Sequence, residues 1–165
     1  MIEFVIHPPR VFLAVVGAVL LVVVLSMFLK RGDSGRKLTA LAITAVVLGV
    51  VTFLFYRPTV LSVDEHGFSL RRFRENRISW AEIRSAERIV DLPNSPQQPA
   101  NRIVGVGLGV YKVGTFRLRD GRTARVTMEQ DREALLLVAR EQLYLFALND
   151  QEQLIAAVDR YIEVE

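Results

Sequence analysis

The chain of 165 residues is 51% hydrophobic and 24% charged, with a formal net charge of +3 and a sequence pI of about 9.6. That composition excludes a disordered or collagen-like chain, and the absence of cysteine excludes a disulfide scaffold. The excess charge lies in residues 1–56, which hold five basic side chains (Arg10, Lys30, Arg31, Arg36, Lys37) and two acidic ones (Glu3, Asp33). Residues 57–165 hold sixteen of each sign, and that balance argues against a nucleic-acid-binding domain.

In chain order, His7-Pro8-Pro9-Arg10 reads as an extended lead-in, because consecutive prolines resist helix. Val11 to Leu29 is a run of 19 residues without charge, and Leu38 to Tyr56 is a second run of 19 with only three threonines as polar positions. At a rise of about 1.5 Å per residue each makes a helix of roughly 28 Å, close to a bilayer's hydrocarbon thickness. Neither run carries a polar stripe, so two transmembrane helices are expected. Two buried core helices are the competing reading, and a chain this small has little else to bury them with. A cleaved signal peptide fits poorly, because the first run ends in Lys30-Arg31 and lacks a small-residue cleavage site.

Lys30-Arg31-Gly32-Asp33-Ser34-Gly35-Arg36-Lys37 reads as a tight polar turn closing an antiparallel hairpin. Its four basic residues place this loop in the cytoplasm and both termini on the outer side, while Arg57, Arg71, Arg72 and Arg74 pull the other way. The expected organisation is therefore a membrane hairpin over residues 1–56, with spans at 11–29 and 38–56 and a loop at 30–37, followed by a second domain over 57–165.

Beyond Pro58 the texture changes to short alternating runs. Thr59–Asp64, Phe68–Phe73 and Arg77–Trp80 read as strands separated by turns at Glu65-His66-Gly67 and Arg74-Glu75-Asn76. Ala86–Leu92 reads as a fourth strand, and Pro93 to Pro99, with three prolines in seven residues, as a mobile loop. Gly105, Gly107 and Gly109 recur at period two, which permits a bend or a close backbone approach in an extended chain. Thr115–Arg119 and Arg122–Met128 flank Asp120-Gly121, a hairpin signal. Strands over Glu133–Val138 and Leu143–Leu148 follow, joined by a turn at Arg140-Glu141. Asn149 with Glu152 has the spacing of a capping box, opening a helix with Leu154, Ile155, Val158, Tyr161 and Ile162 as its apolar stripe. Seven or more strands and one terminal helix imply an antiparallel barrel or sandwich with a helix packed on it.

Ile78-Ser79-Trp80-Ala81-Glu82-Ile83 resembles the "I-S-W-x-E-I" element of bacterial pleckstrin-homology-like domains. The Gly-rich stretch from Arg102 through Gly114–Leu118 to Asp120-Gly121-Arg122, and the ending Tyr144 to Asp150, are similar to the same family. The resemblance covers residues 57–163. It implies a PH-like antiparallel β-barrel or sandwich capped by a C-terminal helix, so with the two transmembrane helices read from the apolar runs the expected fold class is α+β. It implies no enzyme activity and carries no family-wide functional residue.

No chemistry-bearing constellation stands out. The two histidines, His7 and His66, have no metal-ligand spacing around them, and no G-x-S-x-G pattern is present. The alternate glycines lack the G-x-G-x-x-G and Gly-Lys-Ser/Thr phosphate motifs. Neither a catalytic residue nor a cofactor is therefore expected. Trp80 reads as a core or interface anchor. The densest basic patch outside the hairpin is Arg71, Arg72, Arg74 and Arg77. It reads either as a solvated strand face balanced by Glu75 and Glu82 or as a contact for anionic lipid headgroups.

Two functions from different classes follow. One is a non-enzymatic scaffold module, anchored in a bacterial cytoplasmic membrane and binding a protein partner or another copy of itself. The other is a membrane-tethered binder of anionic headgroups or a small ligand, using the Arg71–Arg77 patch or the barrel mouth. Nucleic acid is not expected as a partner.

Overall fold

The computed structural model describes residues 1–9, 11–29, 34–55, 58–71 and 75–164; within α1, α2 and β4 some of those residues are described by their backbone alone. The chain divides into two compact units, residues 7–58 and residues 1–6 with 59–165.

The first unit holds two helices, α1 (Val11–Leu29) and α2 (Ser34–Phe55). α1 coincides with the first apolar run. α2 begins four residues before the second one, so Ser34–Lys37, expected in the polar turn, open the helix instead. Among the described residues, no helix is long and apolar enough to cross a membrane. Two helices stand where the spans were expected, but the structure does not show them as membrane spans.

The second unit contains ten strands among its described residues. β1 (Ile2–Ile6), β2 (Thr59–Asp64), β3 (Gly67–Arg71) and β4 (Glu75–Ser79) form an antiparallel sheet in chain order. β1 was not expected: residues 1–6, read from sequence as part of the hairpin unit, pair with β2 from Ile2↔Val63 to Ile6↔Thr59. The remaining strands are β5 (Ile83–Ile89), β6 (Pro99–Leu108), β7 (Tyr111–Leu118), β8 (Thr123–Met128), β9 (Ala134–Ala139) and β10 (Gln142–Ala147). They form a second sheet in the order β5-β9-β10-β8-β7-β6. β10 runs parallel to β8, which corrects the expectation of a wholly antiparallel fold. The β8–β9 connection passes beyond β10, so β9 pairs with β5 and β10 and not with its predecessor.

The inner strands β9 and β10 of the larger sheet are buried on both faces, which accounts for runs such as Ala134–Val138 that are apolar throughout. Alternate residues of β9 and β10 go to opposite sides. Leu135, Leu137, Tyr144 and Phe146 join Phe4, Ile6, Leu61, Val63, Phe68 and Ile78 of the smaller sheet in one core. Leu136, Leu143 and Leu145 join Ile89, Leu92, Phe116, Val126 and Met128 in the other.

The segment after β5 must travel from one edge of the larger sheet to the other to begin β6. It carries Leu92, fully buried, into the second core. The Pro93–Pro99 loop is not free. The amides of Arg119 and Asp120 donate to Gln98 O (3.0 Å) and Pro96 O (2.9 Å), and Arg119 Nη1 donates to Pro93 O (2.7 Å). These bonds staple it to the β7–β8 hairpin.

The fourth strand begins at Ile83, three residues earlier than expected, because Trp80–Glu82 forms one 3₁₀ turn and the chain then re-enters extended conformation. Of the three alternate glycines, Gly105 (φ +123°) and Gly109 (φ +59°) adopt conformations that favour glycine, and Gly107 does not.

The terminal helix, α3 (Gln151–Asp159), buries Leu154, Ala157 and Val158 against the inter-sheet core. The expected Asn149–Glu152 capping box does not form. Asp150 is the residue before the first turn; the buried Gln151 Oε1 accepts from Leu148 N–H (2.9 Å); and Glu152 turns outward to Arg88. Arg88 also holds Glu133 (2.8 Å), so one guanidinium ties β5 to the start of β9 and to α3. Those two carboxylates raise its pKa above the ordinary arginine value.

Candidate functional site

Pairing register decides where the basic patch sits. In the β3–β4 hairpin Arg71 faces Glu75 and Ser69 faces Arg77, so Arg71 and Arg77 lie on the face opposite Phe68, Leu70 and Ile78. Val60 pairs with Arg71 and Thr59 with Ile6. The Arg71 end of the hairpin is therefore level with the two points where the chain joins the helical unit.

Arg71 is exposed. Arg77 is half-exposed and is not a free cation, because it pairs with Asp64 at the end of β2. Arg72 and Arg74 lie outside the described residues. Of the four predicted residues, the structure thus brings Arg71 and Arg77 onto one face and engages Arg77 in an ion pair.

Asp64 organises this end of the smaller sheet. Its Oδ1 accepts from the His66 amide (2.9 Å), its Oδ2 pairs with Arg77, and its backbone carbonyl accepts from Trp80 Nε1 (2.8 Å). The His66 amide is the main reason the carboxyl titrates below the usual carboxylate range; burial pushes the other way, and Arg77 lowers it further. His66 itself is largely exposed beside Asp64 and Glu65.

The Ile78–Ile83 element is structural. Ile78 enters the core, Glu82 Oε2 accepts from the Ser79 amide (3.1 Å), and Trp80 stacks on Tyr161 with ring centroids 5.0 Å apart. The two rings lie 13° from parallel. Trp80 is thus the anchor the sequence suggested, joining the smaller sheet to the segment after α3. Glu82 also pairs with Arg140 of the β9–β10 turn, which with the Ser79 amide draws its carboxyl below the ordinary glutamate value.

Sequence reasoning missed a cleft of about 270 Å³ between the two sheets, lined by both apolar and polar residues. Thr59, Leu70 and Asn76 line it from the smaller sheet, and Val113–Thr115 and Arg125–Thr127 from the larger. These residues come from five strands, so no local motif joins them. The only hint was the alternation Thr123, Arg125, Thr127 against Ala124, Val126, Met128. Elsewhere Lys112, half-buried, donates from Nζ to Pro99 O (2.9 Å), and burial pushes its pKa below the ordinary lysine value. Among the described residues no group of His, Asp or Glu could hold a metal ion.

A family model described as a bacterial PH domain matches residues 59–162, more than half of the chain. The chain belongs to the bacterial PH domain family. The match begins at β2 and ends beyond α3, so β1 is an addition to the matched region. The comparisons with curated proteins and with solved structures returned no match. Two β-sheets and a C-terminal helix agree with a PH-like fold, which points to an interaction or binding module.

Proposed function

We propose that this bacterial PH domain is a non-enzymatic interaction module held at a membrane by α1 and α2, binding a protein partner or a second copy of the chain. Family membership over residues 59–162 carries the reading. Membrane anchoring is supported by the uncharged runs 11–29 and 38–56 and by exposed apolar side chains on both helices, among them Val22, Ile43 and Val46.

Crosslinking the full chain in native membranes tests the reading. A discrete homo-oligomeric or mixed species is expected; a strictly monomeric chain without a partner contradicts it. The basic loop favours the PH domain on the outer side of a bacterial cytoplasmic membrane, and a reporter fused after residue 165 reads that orientation.

A second reading has one observation in its favour. Arg71 lies at the end of the smaller sheet that holds Thr59, and only three residues separate Phe55 from Thr59. If α2 spans a bilayer, so short a connection favours contact between this end of the sheet and anionic headgroups. Comparing full-length chain with an Arg71→Ala, Arg72→Ala, Arg74→Ala variant in anionic and neutral nanodiscs tests it. Anionic lipid should stabilise the wild type and not the variant; equal stabilisation of both removes the patch from the account.

A further inference from the structure

β6 is an outer strand of the larger sheet: it pairs with β7, and no described strand pairs with its other side. An open edge offers a row of unpaired backbone donors and acceptors to any extended chain, and proteins blunt it with prolines, charges and bulges. Here those devices occupy one half only. Pro99, Arg102 and two register shifts, at Pro99/Asn101 and Arg102/Val104, guard the first half of β6. Val104-Gly105-Val106-Gly107-Leu108 pairs with β7 without a shift and carries no charge and no proline. Its apolar side chains are poorly covered, with Val104 68% exposed and Leu108 39%.

The hairpin fixes which backbone groups point outward. Leu108 pairs with Tyr111 across the two-residue turn Gly109-Val110, and the pair that closes such a turn is hydrogen-bonded. Alternation then aims the N–H and C=O of Val104, Val106 and Leu108 at β7, and those of Gly105 and Gly107 at the open edge. The close approach of Gly105 to Gly114 agrees, since non-hydrogen-bonded pairs lie nearer together: a Cβ on Gly105 would be 2.7 Å from Gly114 Cα. The two residues of this segment that aim backbone outward are therefore the two without side chains.

We propose that this edge pairs with β6 of a second copy, antiparallel about a two-fold axis at Val106. The inference rests on the self-assembling form of the reading above and names its surface. The segment is nearly palindromic about Val106. Two-fold pairing sets Gly105 against the second copy's Gly107, so outward groups meet outward groups and each such pair exchanges both N–H···O bonds. Val104 meets the second copy's Leu108, apolar on apolar. Arg102 falls beyond the paired segment, opposite the second copy's Val110, so the two Arg102 side chains lie at opposite ends of the contact. A foreign strand would need only the open edge; the match of outward glycine to outward glycine about one axis is what a copy supplies. Such a contact is isologous and closes as a dimer.

The test uses the full chain in the cell fraction that carries it. The chain has no cysteine, so a single introduced one reports on its own. Across the axis the two Val106 residues form a non-hydrogen-bonded pair, whose Cα separation of about 4.5 Å suits a disulfide. Mild oxidation of Val106→Cys should give a reducible dimer, while Val90→Cys, at an exposed position off the strand, should stay monomeric. Adding Gly107→Pro removes an outward N–H, which an edge strand tolerates when that group faces solvent. Adding Val104→Lys instead puts a cation against the second copy's Leu108. Both additions should keep the Tm of the parent in detergent and cut the disulfide dimer tenfold or more. No dimer of Val106→Cys above the Val90→Cys level, or a dimer undiminished by both additions, overturns the β6 contact. A mixed disulfide with another protein in place of the dimer also overturns it and assigns the edge to a foreign strand. If an amine-reactive crosslinker still yields a homo-oligomer of the wild type in those cases, self-assembly stands on another surface; if it yields none, self-assembly fails as well.

Discussion

Gly105 and Gly114 face each other across the β6–β7 pair, and each blocks the other's side-chain position. A Cβ on Gly105 would lie 2.2 Å from Val113 O, and one on Gly114 would lie 2.2 Å from Val104 O. Both residues have positive φ, so backbone strain would add to the collision. Gly105→Ala should therefore cost about 3 kcal/mol in urea denaturation. Gly109→Ala should cost only about 1 kcal/mol, because its φ is left-handed but nothing lies within 4 Å of the new methyl. Equal costs at the two positions would contradict this account. At the same scale, the lowered pKa of Asp64 has a definite consequence for pH. The unfolded chain binds the proton more readily, so the stability from Asp64 is complete above about pH 5 and is lost as pH falls from the ordinary value near 3.9 through the lower folded value. Asp64→Asn should flatten the Tm-versus-pH curve in that acidic window while lowering Tm at neutral pH.

Turns and strands differ in how well the sequence declares them. The β9–β10 turn is closed by Arg140 and Glu141, both at positive φ (48° and 69°), where two-residue hairpins usually place Asn or Gly. Alternation around it was enough to locate the turn. Arg140 has an offsetting contact with Glu82, and Glu141 has none among the described residues. Glu141→Gly should therefore stabilise the domain by about 0.5–1 kcal/mol in chemical denaturation, and a loss would show that Glu141 makes a contact worth more than its strain. The Asp120-Gly121 hairpin, the Ile78–Ile83 element and α3 were legible because each is set by neighbours in sequence. β1 was not, since the residues it pairs with lie on the far side of two helices and the prolines at 8 and 9 drew the boundary too late. The parallel β8–β10 pairing escaped for a related reason: Gln130 to Glu133 connects strands that do not touch.

At the scale of the whole molecule, the sequence shows a division of labour that charge alone obscures. The +3 excess belongs to the first third of the chain, and residues 57–165, which contain the bacterial PH domain, are formally neutral. Its inter-sheet cleft is invisible to pattern reading, because β2, β3, β4, β7 and β8 each contribute only a few of its residues. The basic patch was legible as a cluster, yet register and an ion pair leave Arg71 exposed and engage Arg77. What makes these observations one account is the claim that α1 and α2 hold the domain at a bilayer. Alkaline carbonate extraction of membranes containing the full chain tests that claim most directly. The account predicts that the protein stays with the membrane pellet and leaves it only in detergent. Release into the supernatant by carbonate alone would contradict it.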